Sequence, residues 1–214
     1  MKKALMAVMV VALAIGFVGC DIIGGAKSPY YPLAEGNTWD YDVSMTTTVD
    51  DSVTLDSSWT TKTEVVGKTE LDDGTKVWEV KNEDATSFVE VDKDWVYTYE
   101  TKADTTEWYK WPNEPKVGDT WDMVIQIDDT TSSTTTYEVV EEGVEANTYA
   151  DCLKVQVTPE GTDMFDEYEN FMYWAKDVGN VKTTCKTVIK TVILDDTMTT
   201  TTETESNLNT FTEG

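Results

Sequence analysis

The chain contains neither histidine nor arginine. A Ser-His-Asp or Cys-His nucleophile therefore cannot be assembled from it, nor a His-ligated zinc site, nor an arginine clamp on phosphate. No glycine-rich phosphate loop appears either, so no cofactor is expected, and only carboxylates, Tyr, Lys and Thr remain to carry chemistry. Basic residues are scarce: 16 lysines stand against 41 acids, for a formal charge of −25. Charge of that sign repels phosphate backbones and anionic headgroups, which excludes a nucleic-acid partner and direct binding of the folded part to a membrane surface. A sustained helical period with caps is missing from everything after residue 20. What is abundant instead is Thr, with 8 Trp and 10 Tyr, and these are strand-forming residues.

The first stretch is MKKALMAVMVVALAIGFVGC. Lys2 and Lys3 precede an apolar run from Ala4 to Val18, shorter than the roughly 20 residues a membrane-spanning helix needs. With Phe17, Val18, Gly19 and Cys20 at its end, this segment resembles a bacterial lipoprotein signal closed by a lipobox. The resemblance implies that residues 1–19 are removed and that Cys20 is lipidated on sulfur as the first mature residue. Loss of Lys2 and Lys3 takes the charge from −25 to −27. Two or three acyl chains, at about 0.8 kcal/mol per buried CH₂, would anchor the chain stably. The expected localisation is the cell envelope, with the domain facing periplasm or exterior. Asp21 favours the inner membrane by analogy with enterobacterial lipoproteins, but the other membrane and the cell surface stay open. Residues 20–29 read as a tether, broken by Gly24 and Gly25.

From Thr38 the chain alternates. Trp39, Tyr41, Val43 and Met45 share one face against Asp40, Asp42 and Ser44, and the pattern returns at Trp121, Met123, Ile125 and Ile127. Each copy follows a Gly-Asn or Gly-Asp turn and runs to an acidic pair, Asp50-Asp51 or Asp128-Asp129. This predicts an all-β, antiparallel, twisted and curved sheet, a half-barrel or a sandwich, built as a tandem duplication. The halves are residues 30–112 and 113–206, and 207–214 are expected to fray. The expected strands are 38–49, 53–66, 75–81, 86–91 and 94–101, then 119–128, 134–142, 152–158, 167–175, 180–194 and 197–205. EWYKWPNEP, residues 107–115, reads as the loop between halves, because its two prolines exclude a central strand.

Tyr30 to Tyr41, Val144 to Val155 and Tyr173 to Lys182 together resemble an uncharacterised family of bacterial envelope lipoproteins. Its members carry Gly-Asn-x-Trp-x-Tyr early and Gly-Val-Gly-x-Val-Lys late. Asn147 and Asp177 stand where that pattern has Gly, and both residue types tolerate left-handed backbone. The family implies no activity. A weaker likeness to periplasmic lipoprotein carriers implies a concave apolar face.

Three kinds of site follow as candidates. A lipid or other hydrophobic ligand in the concavity would meet Trp39, Tyr41, Trp121 and Ile125. A glycan or an envelope-protein partner would meet aromatics in the Pro-bounded loop, Trp108, Tyr109 and Trp111, which are expected at the surface. The wider aromatic set, Trp59 included, is expected to be mostly core. A carboxylate hydrolase would need a facing pair, for which Glu141-Glu142 and Asp166-Glu167 are the material, and is the least favoured reading. Overall the protein is expected to be non-catalytic and to hold no metal, since the acidic pairs are ordinary turn residues. Cys152 and Cys185 are a candidate disulfide for an oxidising compartment. A meander would set them about 10 Å apart with a strand between, beyond the roughly 7 Å that Cα atoms can bridge.

Overall fold

A computed structural model describes residues 28–83, 85–104, 109–126, 132–193 and 196–214. The strands are β1 (Thr38–Val49), β2 (Ser52–Glu70), β3 (Lys76–Asn82), β4 (Thr86–Val91), β5 (Trp95–Tyr99), β6 (Tyr109–Pro112), β7 (Thr120–Gln126), β8 (Ser132–Ala146), β9 (Tyr149–Pro159), β10 (Glu167–Ala175), β11 (Gly179–Ile193) and β12 (Asp196–Thr212). They form one antiparallel sheet in the order β6-β5-β4-β3-β2-β1-β12-β11-β10-β9-β8-β7, nearly closed into a barrel-like shape. Two six-strand meanders, β1–β6 and β7–β12, are thus joined edge to edge through β1 and β12, and the seam lies between β6 and β7.

Turn chemistry sets the register. Asp50 and Asp51 have φ of +47° and +64°, the two positive values that a tight hairpin turn of the favoured hand requires, and Asp tolerates them. Asn147 (φ +55°) and Asp177 (φ +59°) take the left-handed backbone expected of them. Two expectations fail. Residues 207–212 do not fray: they extend β12 along the start of β1, with Thr38 opposite Thr212, Leu208 buried, and Phe211 stacked on Trp39 at 5.3 Å. The EWYKWPNEP segment is not all loop, since Tyr109–Pro112 is an edge strand paired with β5. Its prolines kept it at the edge, as proline does.

A barrel of eight strands is already about as wide as side chains can fill, so twelve strands demand the largest ones or a flattened section. The interior here is aromatic. Trp111 of β6 packs against Trp174 of β10 at 4.3 Å and Trp121 of β7 at 4.5 Å, and Tyr137 of β8 stacks on Trp121 at 5.5 Å. These contacts hold the β6–β7 seam shut where no backbone ladder joins it among the described residues.

One end of the barrel is plugged by the chain's own entry segment. Tyr31 packs against both Trp174 and Trp111, Ser28 donates to the Asn113 carbonyl, and the Asp177 N–H donates to the Pro29 carbonyl. Asn37 ties this plug to the chain end, donating to the Pro32 carbonyl at 3.0 Å and accepting from the Gly214 N–H at 2.7 Å. Gly36, at φ +86°, lies so close to Gly214 that a Cβ would sit 3.1 Å from its Cα. Both ends of the described domain therefore lie at the plugged end. At the other end four strands outrun their neighbours. β3 pairs with β2 only over Thr63–Glu70, and β10 meets β11 no further along than Val188. The remainder of β2, β1, β12 and β11 stands beyond the barrel as a Thr-rich blade.

Candidate ligand surface

The aromatic residues expected to line a cavity are packed core. Trp39 is 0% exposed, with its indole N–H on the Val178 carbonyl, and Tyr41 is buried with its hydroxyl on the Asn180 carbonyl. Burial raises the Tyr41 pKa, and the phenol stays neutral. Trp121 is buried within the ring cluster. Ile125 lies in β7, on the stretch facing Ser133 of β8. Tyr109 and Trp111, expected at the surface, are 2% and 0% exposed. As inward-facing members of an edge strand they close the seam, and so cannot serve as an exposed platform. Trp108 lies outside the described residues.

The candidate carboxylates hold structure. Glu167 pairs with Lys186 at 2.9 Å, Asp166 accepts from the Lys190 N–H, and Glu141 and Glu142 are exposed on β8. Cys152 and Cys185 are free thiols, on β9 and β11 with β10 between them. Burial raises both thiol pKa values, so each stays protonated and unreactive near neutral pH. Alkylating the unreduced protein after unfolding is therefore expected to add two adducts at Cys152 and Cys185, and few while it is folded. No adducts at either residue after unfolding would mean a disulfide.

The surface that remains is the inner face of the sheet where it leaves the plugged barrel. Directly opposed residues on neighbouring strands share a face, so three rows can be traced from β2 through β1, β12 and β11 to β10. They are Trp59, Val43, Ser206, Thr183, Met172; then Ser57, Met45, Thr204, Cys185, Asn170; then Leu55, Thr47, Thr202, Thr187, Tyr168. None of these side chains is charged. The interleaved outer rows are different, with Asp56, Glu203, Lys186 and Glu169 in one and Asp42 and Lys182 in another. They form an open trough of about 490 Å³ lined by Glu169, Lys186, Glu203 and Glu205. There Glu205 is held below the usual carboxylate range by the Asn207 amide first, and then by Lys182 at 3.1 Å.

Burial falls along the inner face with distance from the plug. Val43 is buried, whereas Trp59 beside it is 40% exposed and Leu55 is 45% exposed. The floor also carries polar groups. Thr47 and Thr202 hydroxyls lie 3.2 Å apart, and Asn170 donates to the Tyr168 hydroxyl at 3.1 Å. The buried Asn170 Oδ1 has no hydrogen-bond partner among the described residues. Burial, then the neighbouring Cys185, raises the Tyr168 pKa, and its hydroxyl remains a donor. The arrangement offers one indole face, aliphatic patches and a ladder of hydroxyls, without charge. Sequence reasoning places Trp59 with the mostly buried aromatic set, although its neighbours at two-residue spacing, Ser57 and Thr61, are polar and mark it off from Trp39 beside Tyr41 and Val43.

The fold is that of an all-β, antiparallel, barrel-like sheet. No family model matches the chain, and no curated protein is similar to it. Two solved structures are. A candidate exported protein with a YmcC-like fold from Bacteroides fragilis aligns at TM-score 0.45 and 12% identity, over 87% of this chain and 100% of that one. A candidate lipoprotein from Parabacteroides distasonis aligns at TM-score 0.35 and 10% identity, over 86% of this chain and 99% of that one.

Proposed function

We propose that this protein is a lipid-anchored, non-catalytic binding module of the bacterial cell envelope, which takes a neutral glycan chain on the open inner face. The observation that carries the ligand half of this reading is the uncharged run of inner rows in a chain of formal charge −25, ending at the exposed Trp59. A sugar ring offers an apolar face to an indole and hydroxyls to Thr and Ser. Uronate or phosphate groups would be repelled by the acidic surroundings. A second reading, an acyl chain laid along Leu55, Met45 and Ile189, is favoured by the aliphatic share of the same face. In either reading the interior aromatics make no contact with ligand.

The anchoring half rests on the signal-like first 20 residues and on the place where the domain begins. Ser28 is at the plugged end, and the residues from Cys20 to Ser28 span at most about 28 Å of chain. The blade then points away from the anchored surface. The test is to express the chain with its own signal, once as it is and once with Cys20→Ala, and to weigh each product natively. The expected result is a lipid mass on the first only, with a saccharide adduct retained on both. A bare polypeptide mass for the Cys20→Ala chain would remove a tightly held ligand, and a Cys20 without lipid would remove the anchor. An adduct in the phospholipid or fatty-acid range on the Cys20→Ala chain would select the second reading.

A further inference from the structure

The blade has an open side as well as an open face. Because β3 pairs with β2 only from Thr63 onward, the stretch Ser52–Lys62 is bonded to β1 on one side and to no strand among the described residues on the other. Half of the peptide groups of a strand point to each side, so this edge presents unpaired donors and acceptors over about 36 Å. Natural edges of that length are blunted by proline, glycine bulges or repeated lysines. The sequence SVTLDSSWTTK has no proline or glycine and only two charges, of opposite sign, at Asp56 and Lys62. The single irregularity is the register shift against β1 near Thr48, at the tip.

We propose that this edge pairs with the same edge of a second copy, giving a two-fold dimer in which two blades form one continuous sheet. A two-fold axis normal to the sheet makes the two β2 strands antiparallel and keeps inner residues opposite inner residues. The register is then nearly determined. Centring on Ser58 would push Val53 onto the partner's Thr63, whose free side is already taken by Asn82. Centring on Asp56 would set that carboxylate against its own copy. Centring on Ser57 avoids both. It places Trp59 opposite Leu55 twice on the inner face and Asp56 opposite Ser58 twice on the outer face. The strip is thus complementary to itself where most of this acidic surface would repel a copy. The pairing leaves the inner faces uncovered and lays them side by side. It also sends the two plugged ends in opposite directions, so that, on the anchoring reading above, a pair joins two facing membrane surfaces.

Sedimentation of the released mature chain (Cys20→Ala) across the micromolar range tests this. The wild-type edge is expected to give a dimer that tightens as salt is raised, because salt screens the repulsion between two strongly acidic chains. Ser58→Asp sets a carboxylate against the partner's Asp56 at both symmetry-related positions and is expected to weaken the dimer about tenfold or more. Asp56→Lys alone leaves an ammonium opposite Ser58 and keeps the dimer. Mixing the two variants sets the introduced carboxylate of one chain against the introduced ammonium of the other across the axis, and is expected to restore a mixed dimer. All the changed side chains are exposed, so folding is preserved, and circular dichroism checks it. A wild-type chain that stays monomeric at every salt concentration overturns the proposal. So does a Ser58→Asp chain that dimerises as well as the wild type.

Discussion

Trp111→Ala is expected to destabilise the protein by about 3–5 kcal/mol, the range for removing a large aromatic from a packed core. The reason is topological. Eleven strand junctions are sewn by backbone ladders, whereas among the described residues the β6–β7 seam has no ladder and is packed with aromatic rings. Trp111 is the hub of that contact, within 6.3 Å of Trp121, Trp174, Tyr31 and Tyr137. β6 is four residues long and pairs with β5 on its other side, so it has little else to hold it. The variant should therefore lose amide protection at Val96–Tyr99 and Tyr109–Trp111 before β1, β11 and β12. Equilibrium unfolding with hydrogen exchange reads both effects. A cost below about 1 kcal/mol, or exchange that rises uniformly, would mean that the seam is closed by something other than these rings.

Trp59→Ala is expected to do the reverse, leaving stability within about 0.5 kcal/mol of wild type while weakening ligand binding about tenfold or more. Trp59 is half-exposed on the blade, with polar neighbours before and after it on its face. Trp39, by contrast, is fully buried with its indole bonded to Val178, and its loss belongs with the costly core truncations. Denaturant midpoints of the two variants, compared at concentrations too low for association, give the first half. Affinity for a neutral oligosaccharide and for an alkyl glycoside gives the second. If Trp59→Ala unfolds as readily as Trp39→Ala, the face is part of the core and binds nothing.

The sequence carries most of the strand pattern, because a period of two is a local property. Trp39-x-Tyr41-x-Val43 and Leu153-x-Val155-x-Val157 state their buried faces outright, and Asp50-Asp51 names its own turn, whereas Asp128-Asp129 lies outside the described residues. Closure is not local. Tyr109-x-Trp111 alternates like any strand, but its flanking prolines argue for a loop, and only the distant rings of Trp121, Tyr137 and Trp174 make it the wall of a barrel. The chain end is similar. Leu208 and Phe211 are isolated among polar residues, and β12 continues because β1 offers Trp39 and Tyr41 to pack against. For the same reason the aromatic residues chosen as ligand contacts turned out to be core. A strand pattern says which side chains face inward without saying how far the opposing wall extends. Where that wall ends, the same inward face becomes surface, and Met45, Thr47, Leu55 and Trp59 pass from one condition to the other.

The measurement that bears most directly on this division is the set of indole N–H resonances of the 8 tryptophans during a titration with dodecyl maltoside. That probe carries a neutral disaccharide and an alkyl chain, so either ligand reading engages the same surface. The Trp59 indole is expected to shift while those of Trp39, Trp111, Trp121 and Trp174 stay where they are. Movement of the four buried indoles with Trp59 unchanged would contradict this, and would return the binding site to the barrel interior.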